Sequence, residues 1–188
     1  MRIGEFDALS AAGAERELLA CCAAPRWARE VAAGRPYGTS FALHTSAHRA
    51  LTDADLDVAM AGHPRIGDRT AGGVSRVEQS GVAGARADVL TALAAGNRAY
   101  EERFGHVYLV CASGCDAADL LATLHARLRN DPATERGVAL RELAAINRLR
   151  LDRLLATEIP ATDSPASGSP ASGSPATDAP PPATEEIT

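Results

Sequence analysis

Apolar residues recur three and four positions apart through most of the first 156 residues, the spacing that one buried helix face requires. Alanine and leucine are plentiful, while aromatic residues make up only 4% of the chain, a composition that favours helices over strands. The pattern predicts long helices over residues 5–22, 40–50, 86–103, 116–129 and 132–156, with shorter ones beginning at Pro25, Thr52 and Ser75.

Capping residues mark several of these helix starts. Ser10 or Asp7 can cap the first helix, and Asp116 can cap a later one. Thr52 and Asp55 resemble a capping box in which Asp replaces Glu or Gln. Proline is tolerated at a first helical position, so Pro132 is expected to begin the last helix.

One segment departs from the helical pattern. Residues 106–111, His-Val-Tyr-Leu-Val-Cys, form the only strand-like run in the sequence. A single strand has no obvious pairing partner, so we expect a buried extended segment rather than a sheet. The sequence therefore predicts an all-α, single-domain bundle of about seven to nine helices with one central extended segment.

The C-terminal residues have a different composition. Seven of the eleven prolines lie between residues 160 and 182, and a five-residue Ser-Pro-Ala-Ser-Gly unit repeats there. Such a stretch contains almost nothing that can form a core. We therefore expect a helical domain over residues 1–157 and a disordered Pro/Ala/Ser/Gly-rich tail over residues 158–188 that takes no part in catalysis.

Charge and cysteine usage narrow the class of protein. The net charge is −5, of which −4 falls on residues 160–188, so the remaining 159 residues are nearly neutral and give no electrostatic argument for nucleic acid or membrane binding. The four cysteines form no C-x-x-C pair. The first residues lack the apolar run of a signal peptide. We expect a soluble, cytoplasmic protein with reduced thiols.

Residues 61–68, Ala-Gly-His-Pro-Arg-Ile-Gly-Asp, combine an imidazole, a proline and an arginine in a short segment. Proline disfavours helix at the residue before it, so His63 should lie just beyond a helix end. An imidazole on such a loop is well placed to meet a ligand. Taken alone, however, the segment also fits a simple helix-terminating turn.

Other candidate residues leave similar alternatives open. Glu78 and Gln79 near a helix start suit an anionic ligand, although Glu78 can instead close a capping box with Ser75. Arg148 and Arg150 cannot both face solvent easily, and a buried guanidinium needs an anionic partner, either an acidic side chain or a bound carboxylate.

Histidines and cysteines elsewhere carry less specific signals. His44 and His48 share a helix face at a spacing that can hold a metal ion, but no third ligand is evident. Nothing beyond their identity marks Cys111 and Cys115 as nucleophiles, so we interpret them as buried and unreactive.

Taken together, eight short motifs between about residues 6 and 155 resemble the 2-oxo-4-hydroxy-4-carboxy-5-ureidoimidazoline (OHCU) decarboxylase family in order and approximate spacing. They are Arg26-Trp27, Arg35-Pro36-Tyr37, His63-Pro64-Arg65-Ile66-Gly67, Ser75-x-x-Glu78-Gln79, Asn97-x-x-Tyr100-x-x-Arg103-Phe104-Gly105, Val110-Cys111-Ala112-Ser113-Gly114, Arg127-Leu-x-Asn130 and Leu149-Arg150-Leu151. The His-Pro-Arg-Ile-Gly and Glu-Gln motifs are the specific ones.

The resemblance implies an all-helical, cofactor-independent, metal-free, usually homodimeric enzyme that decarboxylates OHCU to (S)-allantoin in the last step of urate degradation. The expectation of no nucleic acid or membrane partner rests on the near-neutral charge of the first 159 residues. By position, His63 and Glu78 match the catalytic residues. The matching substrate-binding residues are Pro64, Ser75, Gln79, Val110, Cys111, Ala112, Ser113, Gly114 and Arg150, with Arg148 as an alternative to the last. Ser80 stands where the family usually has a small apolar residue, and the chain is several residues shorter than the family pattern between Gly81 and Asn97.

Two other classes of function remain open from the sequence. The chain can be a non-catalytic helical module that binds a ligand or protein, with residues 61–68 as a structural turn. It can also be a metal-dependent hydrolase that uses His44, His48 and His63.

Overall fold

The computed structural model describes residues 1–61, 63–67, 77–82 and 84–156, which contain eight α-helices and no strand. The helices are α1 (Ile3–Ala8), α2 (Ala11–Cys21), α3 (Pro25–Ala33), α4 (Ser40–Ala50), α5 (Asp53–Met60), α6 (Ala87–Phe104), α7 (Ala117–Arg127) and α8 (Pro132–Ala156), and a short 3₁₀ turn spans Ser80–Val82. The prediction of an all-α fold is confirmed. Among these helices, none has the length and apolarity needed to cross a bilayer.

Several helix starts follow the predicted capping chemistry. The Ser10 hydroxyl accepts a hydrogen bond from the Gly13 amide at the start of α2. Thr52 and Asp55 form a capping box at α5, and the Asp116 carboxylate accepts from the Asp119 amide at α7. These side chains satisfy amides that would otherwise lack partners at a helix N-terminus.

The prediction of one helix over residues 5–22 is wrong. The chain forms α1 and α2 instead, with Leu9 in an extended conformation at ψ 150° between them. Ser10 is the cause, because its side chain captures the Gly13 amide and so begins a new helix rather than continuing the first.

Two clusters of buried side chains form the core. The first joins α1–α5 to α8 and includes Trp27, Leu43 and Leu143, each fully buried. The second lies mainly between α6 and α7 and includes Tyr100 and Leu124. One segment of the chain contributes side chains to both clusters.

Residues 107–112, here called the wall segment, provide that connection. Leu109 packs in the first cluster, whereas Tyr108, Val110 and Ala112 pack in the second. Alternate residues therefore point to opposite sides, as in an extended chain. The strand-like run is buried and has no strand partner in the described residues, as its lone occurrence in the sequence predicts.

Candidate active site

A pocket lies where the turn after α5, the wall segment and α8 meet. Its lining residues come from four parts of the chain: His63, Pro64 and Ile66; Glu78 and Gln79; Tyr108, Leu109, Val110, Cys111, Ala112 and Ser113; and Ile146 and Leu149. The pocket is apolar on most sides, with a few convergent polar groups, as is typical of small-molecule sites.

His63 follows the C-terminal end of α5, and its backbone amide donates to the Met60 carbonyl at 3.0 Å. Its Nδ1 lies 2.7 Å from the Ala59 carbonyl oxygen. A carbonyl can only accept, so Nδ1 carries the proton. In the neutral ring, Nε2 then keeps its lone pair. This nitrogen is buried and has no hydrogen-bond partner among the described residues.

The pKa of His63 lies below its usual value. Burial is the largest cause because it disfavours the imidazolium, and the nearby charge of Arg150 acts in the same direction. The hydrogen bond to Ala59 and the charge of Glu78 oppose these effects without cancelling them. Near neutral pH, His63 is therefore a neutral imidazole whose free nitrogen can accept a proton.

Glu78 is held by two arginines of α8. Arg150 donates to both carboxylate oxygens, Nε to Oε1 at 2.9 Å and Nη2 to Oε2 at 2.8 Å, and Arg153 Nη1 donates to Oε1 at 2.8 Å. The side chains of Glu78 and Arg150 are each only 11% exposed. Burial acts to raise the pKa of Glu78, but the two guanidiniums outweigh it and lower that pKa. Glu78 is therefore a carboxylate whose charge is compensated.

Gln79 fixes the turn that carries His63. Its side-chain oxygen accepts from the Gly67 amide at 2.9 Å, while Asn97 donates to the Ile66 carbonyl at 2.9 Å. Gly67 has a positive φ of 81°, a conformation that favours glycine. Two amide side chains thus hold the two polar groups of the peptide bond between Ile66 and Gly67.

The structure brings most of the residues singled out in the sequence to this pocket. Gly114 and Arg150 do not line it, although Arg150 contacts Glu78, which does. Ser75 lies outside the described residues. The helix start predicted at Ser75 and the capping-box interpretation of Glu78 both depend on that residue, so they stay predictions.

The structure shows which of Arg148 and Arg150 faces the interior. Arg150 is the inward-facing arginine, and its anionic partner is Glu78. Arg148 lines a separate groove between α4 and α8.

His44 and His48 line that same separate groove rather than the pocket of His63. His44 Nε2 lies 2.7 Å from Asp152 Oδ1. Within the described residues, no group of three or more His, Cys, Asp or Glu side chains has the arrangement of a metal site. The structure therefore does not bring the three histidines of the hydrolase hypothesis together.

Sequence reasoning missed the apolar lining and the supporting contacts. Ile146 and Leu149 look like ordinary core residues of a helix, so their spacing carries no sign of a pocket. Arg153 joins the Glu78 ion pair across 75 positions of sequence. Cys111 and Cys115 are partly exposed rather than buried as predicted. The burial that Cys111 does have still raises the pKa of its thiol, which supports its interpretation as an unreactive residue.

Comparison with known proteins identifies related chains. The family model described as OHCU decarboxylase matches residues 7–152. A uric acid degradation bifunctional protein, TTL, from Arabidopsis thaliana is 30% identical over 151 residues, covering 74% of this chain and 47% of the relative. A 2-oxo-4-hydroxy-4-carboxy-5-ureidoimidazoline decarboxylase from Amia calva is 42% identical over 55 residues, covering 29% of this chain and 31% of the relative. The chain thus spans about half or less of the length of these curated relatives.

Solved structures show the same fold. A crystal structure of OHCU decarboxylase in the presence of (S)-allantoin matches with a TM-score of 0.67 and 30% identity, covering 74% of this chain and 96% of that one. A crystal structure of (S)-allantoin synthase matches with a TM-score of 0.63 and 16% identity, covering 81% of this chain and 54% of that one. At that lower identity, the second match bears on the fold alone.

Proposed function

The chain belongs to the OHCU decarboxylase family, and we propose that it converts OHCU to (S)-allantoin and carbon dioxide, the last step of urate degradation to allantoin. The observation that carries this proposal is the neutral His63, whose unpartnered Nε2 is buried at the pocket.

The proposed reaction needs no external electron sink. The substrate carboxylate is attached to a ring carbon next to a C=N bond. As carbon dioxide leaves, the electron pair of the breaking C–C bond forms a C=C bond between the two ring carbons, and the C=N π pair moves onto nitrogen. Negative charge then develops on the ring and is stabilised by hydrogen bonds placed where it forms. The ring then gains one proton on nitrogen and one on carbon, while the hydroxyl group loses one as it becomes the carbonyl, so the net uptake is one proton for each carbon dioxide released. Delivery of the carbon-bound proton from one fixed face gives a single enantiomer.

His63 is the proposed general base. Its Nε2 takes the proton of the substrate hydroxyl group as the carboxylate leaves and returns it to the product ring, which regenerates the neutral imidazole. The Ala59 carbonyl holds the imidazole in the required tautomer. A positioned base of this kind contributes roughly 10²- to 10⁴-fold to the rate. The depressed pKa of His63 supports the role, because the base form is the one present at neutral pH.

The remaining roles are assigned from the pocket lining, from contacts to it and from family position. Glu78 and Arg150 act as one ion-paired unit. Arg150 binds the ureido or carboxylate end of the substrate, and Glu78 sets the orientation of the His63 imidazole or shares its proton. Gln79 binds the ring amides. Pro64 and the backbone of residues 110–114 complete the surface that fits the planar ring, and Ser75 belongs to the same site by family position.

The oligomeric state, the cellular location and the domain boundary are also proposals. We propose that the protein acts in the cytoplasm as a homodimer without metal or organic cofactor, and that residues 158–188 form a tail outside the catalytic domain of residues 1–157. Light scattering during gel filtration is expected to give twice the mass of one chain, 19.5 kDa. A single-chain mass would overturn the dimer.

The decisive assay follows freshly generated OHCU, made from urate by urate oxidase and hydroxyisourate hydrolase, by the circular dichroism of (S)-allantoin. OHCU decays unaided, so rate and stereochemistry are compared with a blank. Wild-type protein is expected to accelerate the reaction, with and without EDTA, whereas His63→Asn should reduce the rate to the blank while keeping the helical spectrum. His48→Asn is the matched control, because His48 is exposed in the other groove.

Each other outcome has a clear meaning. No acceleration by the wild type would favour a non-catalytic binding module. Loss of activity in EDTA would favour metal chemistry, particularly if His48→Asn were also inactive. Full activity of a folded His63→Asn would contradict the assignment of the base.

A further inference from the structure

The wall segment has buried backbone groups that need hydrogen-bond partners from elsewhere in the protein. Backbone N–H and C=O groups that are buried must find partners, and a strand normally finds them in a sheet. Residues 108–110 are at most 9% exposed, and the segment pairs with no strand in the described chain. Its shape must therefore be fixed by side chains from other elements.

Arg127, near the C-terminal end of α7, supplies one such contact. Its Nη1 donates to the Leu109 carbonyl at 2.7 Å, and its Nε donates to Glu135 at 2.7 Å. Both charged side chains are buried, 6% and 0% exposed. Tyr100 and Asn130 donate to the same Glu135 carboxylate, so the charge on each side is compensated. Arg127 is thereby held rigidly against Leu109.

Glu142, on α8, supplies the second contact from another direction. Its Oε2 accepts a hydrogen bond from the Cys111 amide at 2.8 Å. Glu142 is not among the residues that line the pocket, whereas Leu109, Val110 and Cys111 all are. The two contacts therefore lie on either side of Val110 and behind the surface that faces the ligand.

The geometry points to Arg127 and Glu142 as positioning residues that clamp the wall segment in the shape that the substrate ring requires. This inference rests on the proposed function and extends it to two residues outside the pocket. Displacement of reacting groups by about 1 Å can lower a rate by 10²-fold, so the loss of either contact affects catalysis without any lost contact to substrate.

Glu142 is the better residue to test, because truncation of Arg127 would leave the buried Glu135 unpaired. Glu142→Leu removes the acceptor for the Cys111 amide, whereas Glu142→Gln keeps an oxygen that can accept. The matched control is Glu102→Leu, the same change at an exposed position of α6. Each purified full-length variant is assayed for kcat and KM with OHCU, and for hydrogen exchange of the Cys111 amide by NMR.

Glu142→Leu is expected to lower kcat/KM by roughly 10- to 100-fold and to speed Cys111 exchange by about fivefold, the factor that one hydrogen bond contributes. The pH at which kcat/KM declines should not move, because His63 is untouched. Glu142→Gln should restore most of the activity and protection, and Glu102→Leu should resemble the wild type.

Unchanged kcat and KM in folded Glu142→Leu would overturn the inference, as would a Glu142→Gln variant no better than Glu142→Leu. The unmodified protein provides a test that needs no variant to fold, because its Cys111 amide must exchange slowly, and fast exchange would refute the clamp. Absence of wild-type turnover would instead refute the proposed function, and Cys111 exchange alone would then decide whether the clamp exists.

Discussion

The Glu78–Arg150 ion pair leads to a quantitative prediction for stability. Glu78→Gln removes the negative charge and keeps the size of the side chain. Arg150 is then left 11% exposed without its carboxylate partner, although it still donates to the Cys21 carbonyl at 3.0 Å. Breaking a buried ion pair from one side costs about 3–5 kcal/mol. We expect about 3 kcal/mol, the lower end, because the Cys21 contact survives and the third partner, Arg153, is 38% exposed.

Urea unfolding followed by circular dichroism measures this loss. A loss of that size corresponds to a decrease in Tm of about 6–12 °C for a domain of this length. The control is Glu30→Gln, which breaks the surface pair with Arg26, where the side chains are 56% and 42% exposed. That change should cost no more than about 0.5 kcal/mol.

Two further measurements separate the ion pair from general damage. The double variant Glu78→Gln/Arg150→Met should recover part of the stability, because it removes the unpaired charge. The pKa of Glu78 is lowered in the folded protein, so its contribution is present above the usual carboxyl pKa and is lost as the pH falls through the depressed value. The difference between wild type and Glu78→Gln should therefore shrink in acid. A loss below about 1 kcal/mol at pH 7 would refute the assignment.

Three other predictions concern activity and packing. Because burial lowers the pKa of His63, kcat/KM should fall on acidification with a midpoint below about 6.5, and a midpoint above that value in a pH-rate profile would contradict the neutral base. A Cβ at Gly81 would lie 2.1 Å from the Cys115 carbonyl oxygen, so Gly81→Ala should lower both Tm and kcat. Gly84→Ala is the control and should change neither, because the space around Gly84 is open. Equal Tm values for the two variants in thermal denaturation would refute the clash. A variant that ends at residue 157 should keep the kcat and Tm of the full chain, and loss of either would assign a role to residues 158–188.

The helices could be predicted because their signals are local. Thr52 and Asp55 lie three residues apart, and Pro132 begins a helix whose apolar spacing continues to Ala156. The wrong prediction of one helix over residues 5–22 also has a local cause. A serine within apolar helical spacing can either remain in a helix or begin a new one, and here Ser10 begins α2.

The candidate site was only partly predictable, for a different physical reason. His63, Glu78 and the wall segment are recognisable because short motifs carry them. Their partners are not, because the contacts form only after the chain folds: Arg150 is separated from Cys21 by 129 positions, and Glu142 from Cys111 by 31. Ordinary helix residues such as Glu142 acquire a role only from what the fold places beside them.

The charges around His63 leave its imidazole neutral, as the proposed role of a general base requires. A carboxylate near an imidazole raises its pKa and favours the imidazolium, which cannot act as a base. Glu78 has this effect on His63, yet the burial of the ring and the charge of Arg150 outweigh it. The same Arg150 neutralises Glu78 directly. The pair therefore allows a negative side chain to line the pocket while His63 stays neutral, so replacing Arg150 should raise the pKa of His63 as well as weaken substrate binding.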